Sequence, residues 1–308
     1  MTQQQEPSPL KSALTLAGAL ASQAAVLVPV LYYFGAVYTR AWYGYFGIDS
    51  GLLGYSITDF LRRSITPTFW PVVLGMVMVL ILVASRDVPL LLARRTRNET
   101  RALRIWYVAM LALGVAALAV APIIRLTAVP SWFPPNNYLL PGSLVVGSVL
   151  LGYVITLRSS NPGLWQTPPS PGLLPPAPRP TNQSSTIVIM IALFTLGLAG
   201  LMWITGAYAS DQGLTDARNL ARSQFADQPS VVVFSVDRLA ILGTGVEVGE
   251  IDIPGEKYRF YYGGVRLLDR TADAYFVIPQ QWEARRDRVF IIPRADTIRI
   301  DLDATHNK

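Results

Sequence analysis

Thr186–Ala207 reads TIVIMIALFTLGLAGLMWITGA, and four residues later the chain reaches Asp211, its first carboxylate since Glu99. A bilayer core of about 30 Å needs roughly 20 consecutive apolar residues in a helix, so this uncharged run has the length of a membrane span. The chain beyond it has a different composition. Fifteen of the twenty acidic residues lie after Ser210. Before that point thirteen basic residues face five acidic ones (Glu6, Asp49, Asp59, Asp87 and Glu99), a net +8; after it thirteen face fifteen, a net −2. Two physical environments are written into one chain of 308 residues.

Working back from this run, four more appear: Ala13–Val37, Phe69–Ser85, Ile105–Ile124 and Tyr138–Leu157, none containing a charge. In the first, Ala19-Leu20-Ala21 has the small-x-small form of a cleavage site, but the apolar stretch before it is too short for a signal peptide and the run continues beyond it, so an uncleaved span is expected. Whole-chain values agree with a membrane location: 51% hydrophobic residues, 15% charged and a mean hydropathy of +0.35. Soluble domains carry about 25% charged residues. The expected fold is an α-helical membrane bundle of about five spans, followed by a small, mainly antiparallel α+β soluble domain. The domains are a flexible tail (1–12), a transmembrane region (13–209; spans 13–37, 69–85, 105–124, 138–157 and 186–207) with a Pro-rich loop over 158–185, and a β-rich domain over 210–308.

Within the last domain, Leu214–Phe225 has helical spacing and Val231–Ser235 reads as a buried strand. Tyr258–Leu268 and Ala274–Pro279 flank Asp269–Asp273 as a hairpin, and Arg288–Ile292 and Thr297–Asp303 flank Pro293–Asp296 as a second. In the loop after the first span, Ser56-Ile57-Thr58-Asp59 has capping-box form and starts a short helix through Ser64.

Basic residues in short loops mark the cytoplasmic side. Arg86, Arg94, Arg95, Arg97, Arg101 and Arg104 lie between the second and third spans. This places the N-terminus in the cytoplasm, and the Arg40–Thr68 loop and residues 210–308 outside, in a plasma-membrane protein.

Several chemistries are excluded or weakened. Cysteine is absent, which removes disulfides, thiolate sites and cysteine nucleophiles. The single histidine is His306, near the C-terminus, and no ionisable residue falls inside a span. No catalytic, cofactor or metal residue is nominated, and the chain reads as a non-enzyme. No basic patch interleaved with aromatics suggests nucleic acid. The expected partners are the lipid bilayer and a protein partner or second copy.

The candidate contacts are of two kinds. Arg94, Arg97, Arg101 and Arg104 follow 3-4-3 spacing and form one stripe if helical, suited to anionic lipid or simply to orienting the chain. Trp42, Tyr43 and Tyr45 in the loop, and Tyr258, Tyr261 and Tyr262 in the β-rich domain, are candidate interface contacts between the two. Gly44-Tyr45-Phe46-Gly47-Ile48-Asp49 has the outline of a re-entrant filter turn. Asp301 and Asp303 share a strand face, as a calcium site would need. Gly147, Gly152, Gly197, Gly200, Ala21 and Ala25 are the small residues expected to face other helices.

Two stretches resemble a known group. Tyr43–Arg63, with its aromatic-Phe-Gly-Ile-Asp turn and Thr58-Asp59-Phe60-Leu61, is one. Tyr258–Trp282, with Val265-Arg266-Leu267-Leu268, Tyr275-Phe276-Val277-Ile278-Pro279 and Trp282, is the other. Together they resemble uncharacterised multi-pass membrane proteins of high-GC Gram-positive bacteria. That resemblance implies a membrane fold and brings no activity. The functional expectation is a non-enzymatic membrane protein whose outer domain binds, senses or scaffolds a partner; the alternative is a channel or transporter component.

Overall fold

The structure, a computed structural model, describes residues 9–84, 99–126, 136–160, 183–284 and 286–303. Among the described residues, five long helices precede six strands: α1 (Pro9–Tyr45), α2 (Ile57–Ala84), α3 (Glu99–Leu126), α4 (Asn136–Ser160), α5 (Gln183–Arg222), then β1 (Ser230–Ser235), β2 (Glu247–Glu250), β3 (Phe260–Arg270), β4 (Ala274–Pro279), β5 (Phe290–Pro293) and β6 (Ile298–Leu302). The Pro-rich segment, Arg94 and Arg97 lie outside the described residues.

Among the described residues, three helices have the length and composition to cross a membrane: Arg101–Ile124, Asn137–Ser159 and Ser184–Arg222, with mean hydropathies of 2.4, 1.9 and 2.5. Only 11%, 28% and 6% of their apolar windows is buried inside the chain. Apolar surface of that extent needs a cover other than water. The protein is a multi-pass α-helical membrane protein with a separate soluble β-rich domain.

The chain divides into two compact units, residues 69–207 and residues 1–68 with 208–308. The β-rich sequence thus shares its unit with the first helix and the start of the second. The helix expected over Leu214–Phe225 is not separate but the end of α5. At 40 residues and about 60 Å, α5 is twice the length a bilayer core requires.

In the first of these units, glycines set how closely helices approach. A Cβ on Gly147 would stand 2.7 Å from the Leu118 side chain and 3.0 Å from the Gly114 carbonyl, so α3 and α4 nearly touch there. Gly200 of α5 lies under the Pro141 carbonyl, 2.8 Å from such a Cβ, and Gly197 faces Ser148 at 3.3 Å. Gly152 does not join them: nothing lies within 4 Å of the position its Cβ would take. The i+5 step from Gly147 carries it around the helix, away from the α3 contact. The side chains of Ala21 and Ala25 lie outside the described set.

In the second unit, the six strands form one antiparallel sheet in the order β5-β4-β3-β1-β6, with β2 also pairing β3. The β3–β4 hairpin is as expected. The second hairpin is not: β5 pairs β4 and β6 pairs β1, at opposite ends of the sheet. In a flat sheet four strand spacings would separate them by about 19 Å. Five residue steps from Pro293 to Ile298 reach at most about 18 Å, so the sheet curls. The concave face encloses Val231, Val233, Tyr262, Val265, Val277 and Ile292, with Ile298 and Ile300 closing it. This burial wins over local hairpin pairing, because β6 delivers Ile298 and Ile300 to that core only by running beside β1.

Replacing Gly147 or Gly200 with Leu is expected to destabilise the protein in detergent by about 1–3 kcal/mol through overpacking, with Gly152→Leu close to neutral. Thermal unfolding of the three purified variants checks this ordering.

Candidate functional site: a clamp on Asp269

Three helix ends meet one outer face of the sheet, and two of them are capped so that an apolar residue turns inward. α1 ends in a Schellman motif. The Ile48 amide donates to the Tyr43 carbonyl (3.0 Å) and the Gly47 amide to the Gly44 carbonyl (3.1 Å), with Gly47 at φ 76. Ile48 is thereby buried beside Tyr43. α5 ends the same way: Phe225 donates to the Leu220 carbonyl and Gln224 to that of Ala221. Here no glycine is present. Gln224 and Phe225 hold φ of 52 and 58, an arrangement that costs roughly 1–2 kcal/mol per residue. The fully buried Phe225 ring offsets that cost. α2 begins with the reciprocal capping box: Ser56 N–H donates to the Asp59 carboxylate (3.0 Å) and Asp59 N–H to the Ser56 hydroxyl (3.3 Å). The Ser56 hydrogen bonds hold the Asp59 carboxyl below its ordinary pKa. The short helix expected over 56–64 continues without a break into the second apolar run.

The same hydrogen bonds dispose of the filter reading for Gly44–Asp49. The Tyr43 and Gly44 carbonyls are occupied by backbone amides, and Phe46 and Ile48 are core residues. Asp49 instead caps the 3-10 turn Ser50–Leu53, accepting from the Gly51 amide.

These ends converge on an aromatic cluster. Phe46 lies 5.3 Å from the Trp282 ring and 6.0 Å from Phe225, and Tyr45 lies 6.0 Å from Trp282. The sheet contributes Leu268, Phe276 and Ile278. β4 is therefore buried on both faces, Val277 toward the concave core and Phe276 and Ile278 toward the helix ends. Close helix crossings hold the arrangement. A Cβ on Gly35 would strike the Phe60 carbonyl, and one on Gly213 would stand 2.5 Å from the Tyr38 carbonyl.

At the edge of this cluster stands an ion pair with a partner in the sheet. A register shift in the β3–β4 ladder falls between Leu267 and Asp269, and such bulges re-aim side chains. Asp269 accepts hydrogen bonds from the Tyr43 and Tyr55 hydroxyls. Arg63, on α2, donates to Tyr55 (2.7 Å) and Tyr43 (3.0 Å) and stands 3.6 Å from the carboxylate. Its guanidinium also lies over both rings, 4.7 Å from the Tyr55 centroid and 5.3 Å from that of Tyr43. Side-chain exposures of 27% for Arg63 and 19% for Asp269 place the pair between surface and core. Burial pushes the Tyr43 hydroxyl far above the ordinary tyrosine range, against the pull of Arg63. Burial and the bond to Asp269 do the same for Tyr55. Both stay protonated and serve as donors. Burial disfavours the Arg63 charge, but Tyr43, Tyr55 and Asp269 outweigh it and raise its pKa. A second link lies nearby in sequence: Tyr38 donates to Asp216 on α5 (2.9 Å), as does Gln212.

Of the expected contact residues, Trp42, Tyr43 and Tyr45 all pack in this cluster. The three tyrosines of the β-rich sequence do not. Tyr262 is fully buried in the concave core and bonds the Leu239 backbone. Tyr261 lies over Gly249 on the outward face, and Tyr258 packs near Phe234. Sequence reasoning missed Arg63, Tyr55, Asp269, Phe225 and Trp282 in this role. Arg101 and Arg104 are exposed near the start of α3. Asp301 is taken up by Arg299 in a bidentate pair (2.8 and 2.7 Å), and among the described residues no three metal-ligating side chains gather.

Comparison with protein-family models, curated proteins and solved structures finds no match for this chain. The site's own geometry is what speaks to function.

Asp269→Asn is expected to cost about 1–3 kcal/mol of stability, since it removes a half-buried charged acceptor from two hydroxyls and a cation. In an Arg63→Met background the same change should cost less, with a coupling of about 0.5 kcal/mol or more. A double-mutant cycle on thermal or denaturant unfolding measures it; a coupling of zero contradicts the clamp.

Proposed function

We propose that this is a non-enzymatic plasma-membrane protein with five spans, whose β-rich domain lies outside the cell and senses or scaffolds a partner there. The observation that carries the reading is the fusion of that domain with the ends of membrane helices. The C-terminal end of α1, the N-terminal end of α2 and the C-terminal end of α5 share one compact unit, and so share one side of the membrane. From the start of α2 to the end of α5 the chain must then cross an even number of times. α3, α4 and α5 supply three crossings. α2, with 28 residues and about 42 Å of length, supplies the fourth. α1 arrives on that side from the other, as the fifth.

Loop charge orients this arrangement. The six arginines between Arg86 and Arg104 fall opposite the β-rich domain and mark the cytoplasmic face. Close glycine contacts among α3, α4 and α5 favour a packed bundle over a water-filled path. The spans then serve as anchor and frame, and recognition falls to the outer unit. A domain tied to three helix ends by a shared core is suited to passing a binding event to those helices, because undocking would expose that core.

Single cysteines at Leu242 and Ser170, in a chain with none of its own, test the sidedness. In intact spheroplasts a membrane-impermeant maleimide should label Leu242→Cys and should label Ser170→Cys only after permeabilisation. The reverse pattern would overturn the orientation, and labelling of both in intact cells would overturn the span count.

A further inference from the structure

The joint between helix ends and sheet carries a cleft. It lies between the 3-10 turn and the β3–β4 turn and has a volume of about 230 Å3. Leu53 and Phe276, both buried, form its floor, while Leu52 and Ile291, 64% and 52% exposed, form its walls. Cavities of about 150 Å3 accept benzene, so this space suits one aromatic ring or branched aliphatic group with a short tail. The rim is polar. Asp273, at the tip of the hairpin, presents an exposed carboxylate to which no cation is ion-paired among the described residues. Arg294 is held instead by the Ala272 carbonyl (3.2 Å) and the Tyr275 ring. Asp49, which caps the turn carrying Leu52 and Leu53, adds a second exposed carboxylate to that turn.

We propose that this cleft binds a small amphiphilic cation, an aromatic or branched aliphatic group bearing a primary ammonium, and that the Asp269 clamp reads its occupancy. The apolar floor takes the hydrophobic group and the Asp273 carboxylate the ammonium; that carboxylate opposes an anionic head. The coupling follows from chain connectivity. One wall ends at Gly54, next to Tyr55, and the other begins at Thr271, two residues past Asp269. The two walls belong to the two elements that the clamp holds together, so a ligand touching both strengthens the docked state, and a weakened clamp weakens the ligand. This deepens the sensing role proposed above and rests on it.

The test is titration calorimetry on the full chain in nanodiscs, against empty nanodiscs, with phenethylammonium, 2-phenylethanol and 3-phenylpropanoate as cationic, neutral and anionic probes of one size. Saturable binding is expected, tightest for the ammonium and weakest for the carboxylate. Asp273→Asn should weaken the ammonium about three- to fivefold, the scale of an exposed ion pair, and leave the alcohol unchanged. Leu52→Ser, at an exposed position that folding does not need, should weaken both. Tyr55→Phe, which loosens the clamp, should weaken the ammonium; unchanged affinity there overturns the coupling. Absence of saturable binding by all three probes, or binding indifferent to Asp273→Asn and Leu52→Ser, overturns the site. None of these readouts depends on the side of the membrane the domain faces, so failure here and failure of the topology are separate results.

Discussion

Asp269 holds together parts of the chain that lie more than two hundred residues apart. Its carboxylate would be costly at 19% exposure if left alone, and two hydroxyl donors and one cation from the first 63 residues make it tolerable. Tyr43 comes from the end of α1, Tyr55 from the connection and Arg63 from the second turn of α2. The ion pair adds direction to what the aromatic cluster supplies as bulk burial: Phe46, Phe225 and Trp282 drive association, and the clamp fixes which register of sheet and helix ends pairs Asp269 with Tyr43, Tyr55 and Arg63.

The helix caps make that convergence possible. A Schellman turn at Gly47 and another at Gln224 stop two helices within reach of one cluster and throw Ile48 and Phe225 into it. The capping box at Ser56 starts the third helix at the same level. The sheet answers with β4, apolar on both faces, which belongs to two cores at once. Buried Arg266 adds a further tie, donating to the Gln228 carbonyl just after α5 (2.8 Å). A sheet with only its concave core would leave Phe276 and Ile278 in water.

Features set by local chemistry were legible in the sequence. Each apolar run lies within a helix as far as the described residues extend, Ser56 and Asp59 form their cap, and the β3–β4 hairpin forms around its turn. Features set by distant partners were not. Gly44–Asp49 has the composition of a filter turn, and only the hydrogen bonds to its carbonyls identify it as a helix terminus. β5 and β6 look like a hairpin until the concave core claims Ile298 and Ile300. Tyr258, Tyr261 and Tyr262 have the aromatic character of contact residues, but strand alternation and the curl of the sheet send them to other surfaces. Asp269 gave no sign of its role, because a turn carboxylate beside Arg270 and Asp273 looks solvated until a bulge re-aims it.

The central claim is that the connection between the first two helices is part of the core of the β-rich unit and not a loop resting on it. Hydrogen exchange of the full chain in lipid nanodiscs, resolved by peptide, tests this most directly. If the claim holds, the amides of residues 43–53 and those of β3 and β4 will open together, with one free energy and one response to denaturant, as members of a single cooperative unit do. If residues 46–53 exchange at the rate of an unprotected segment while β3 and β4 remain protected, the clamp does not hold and the account is wrong.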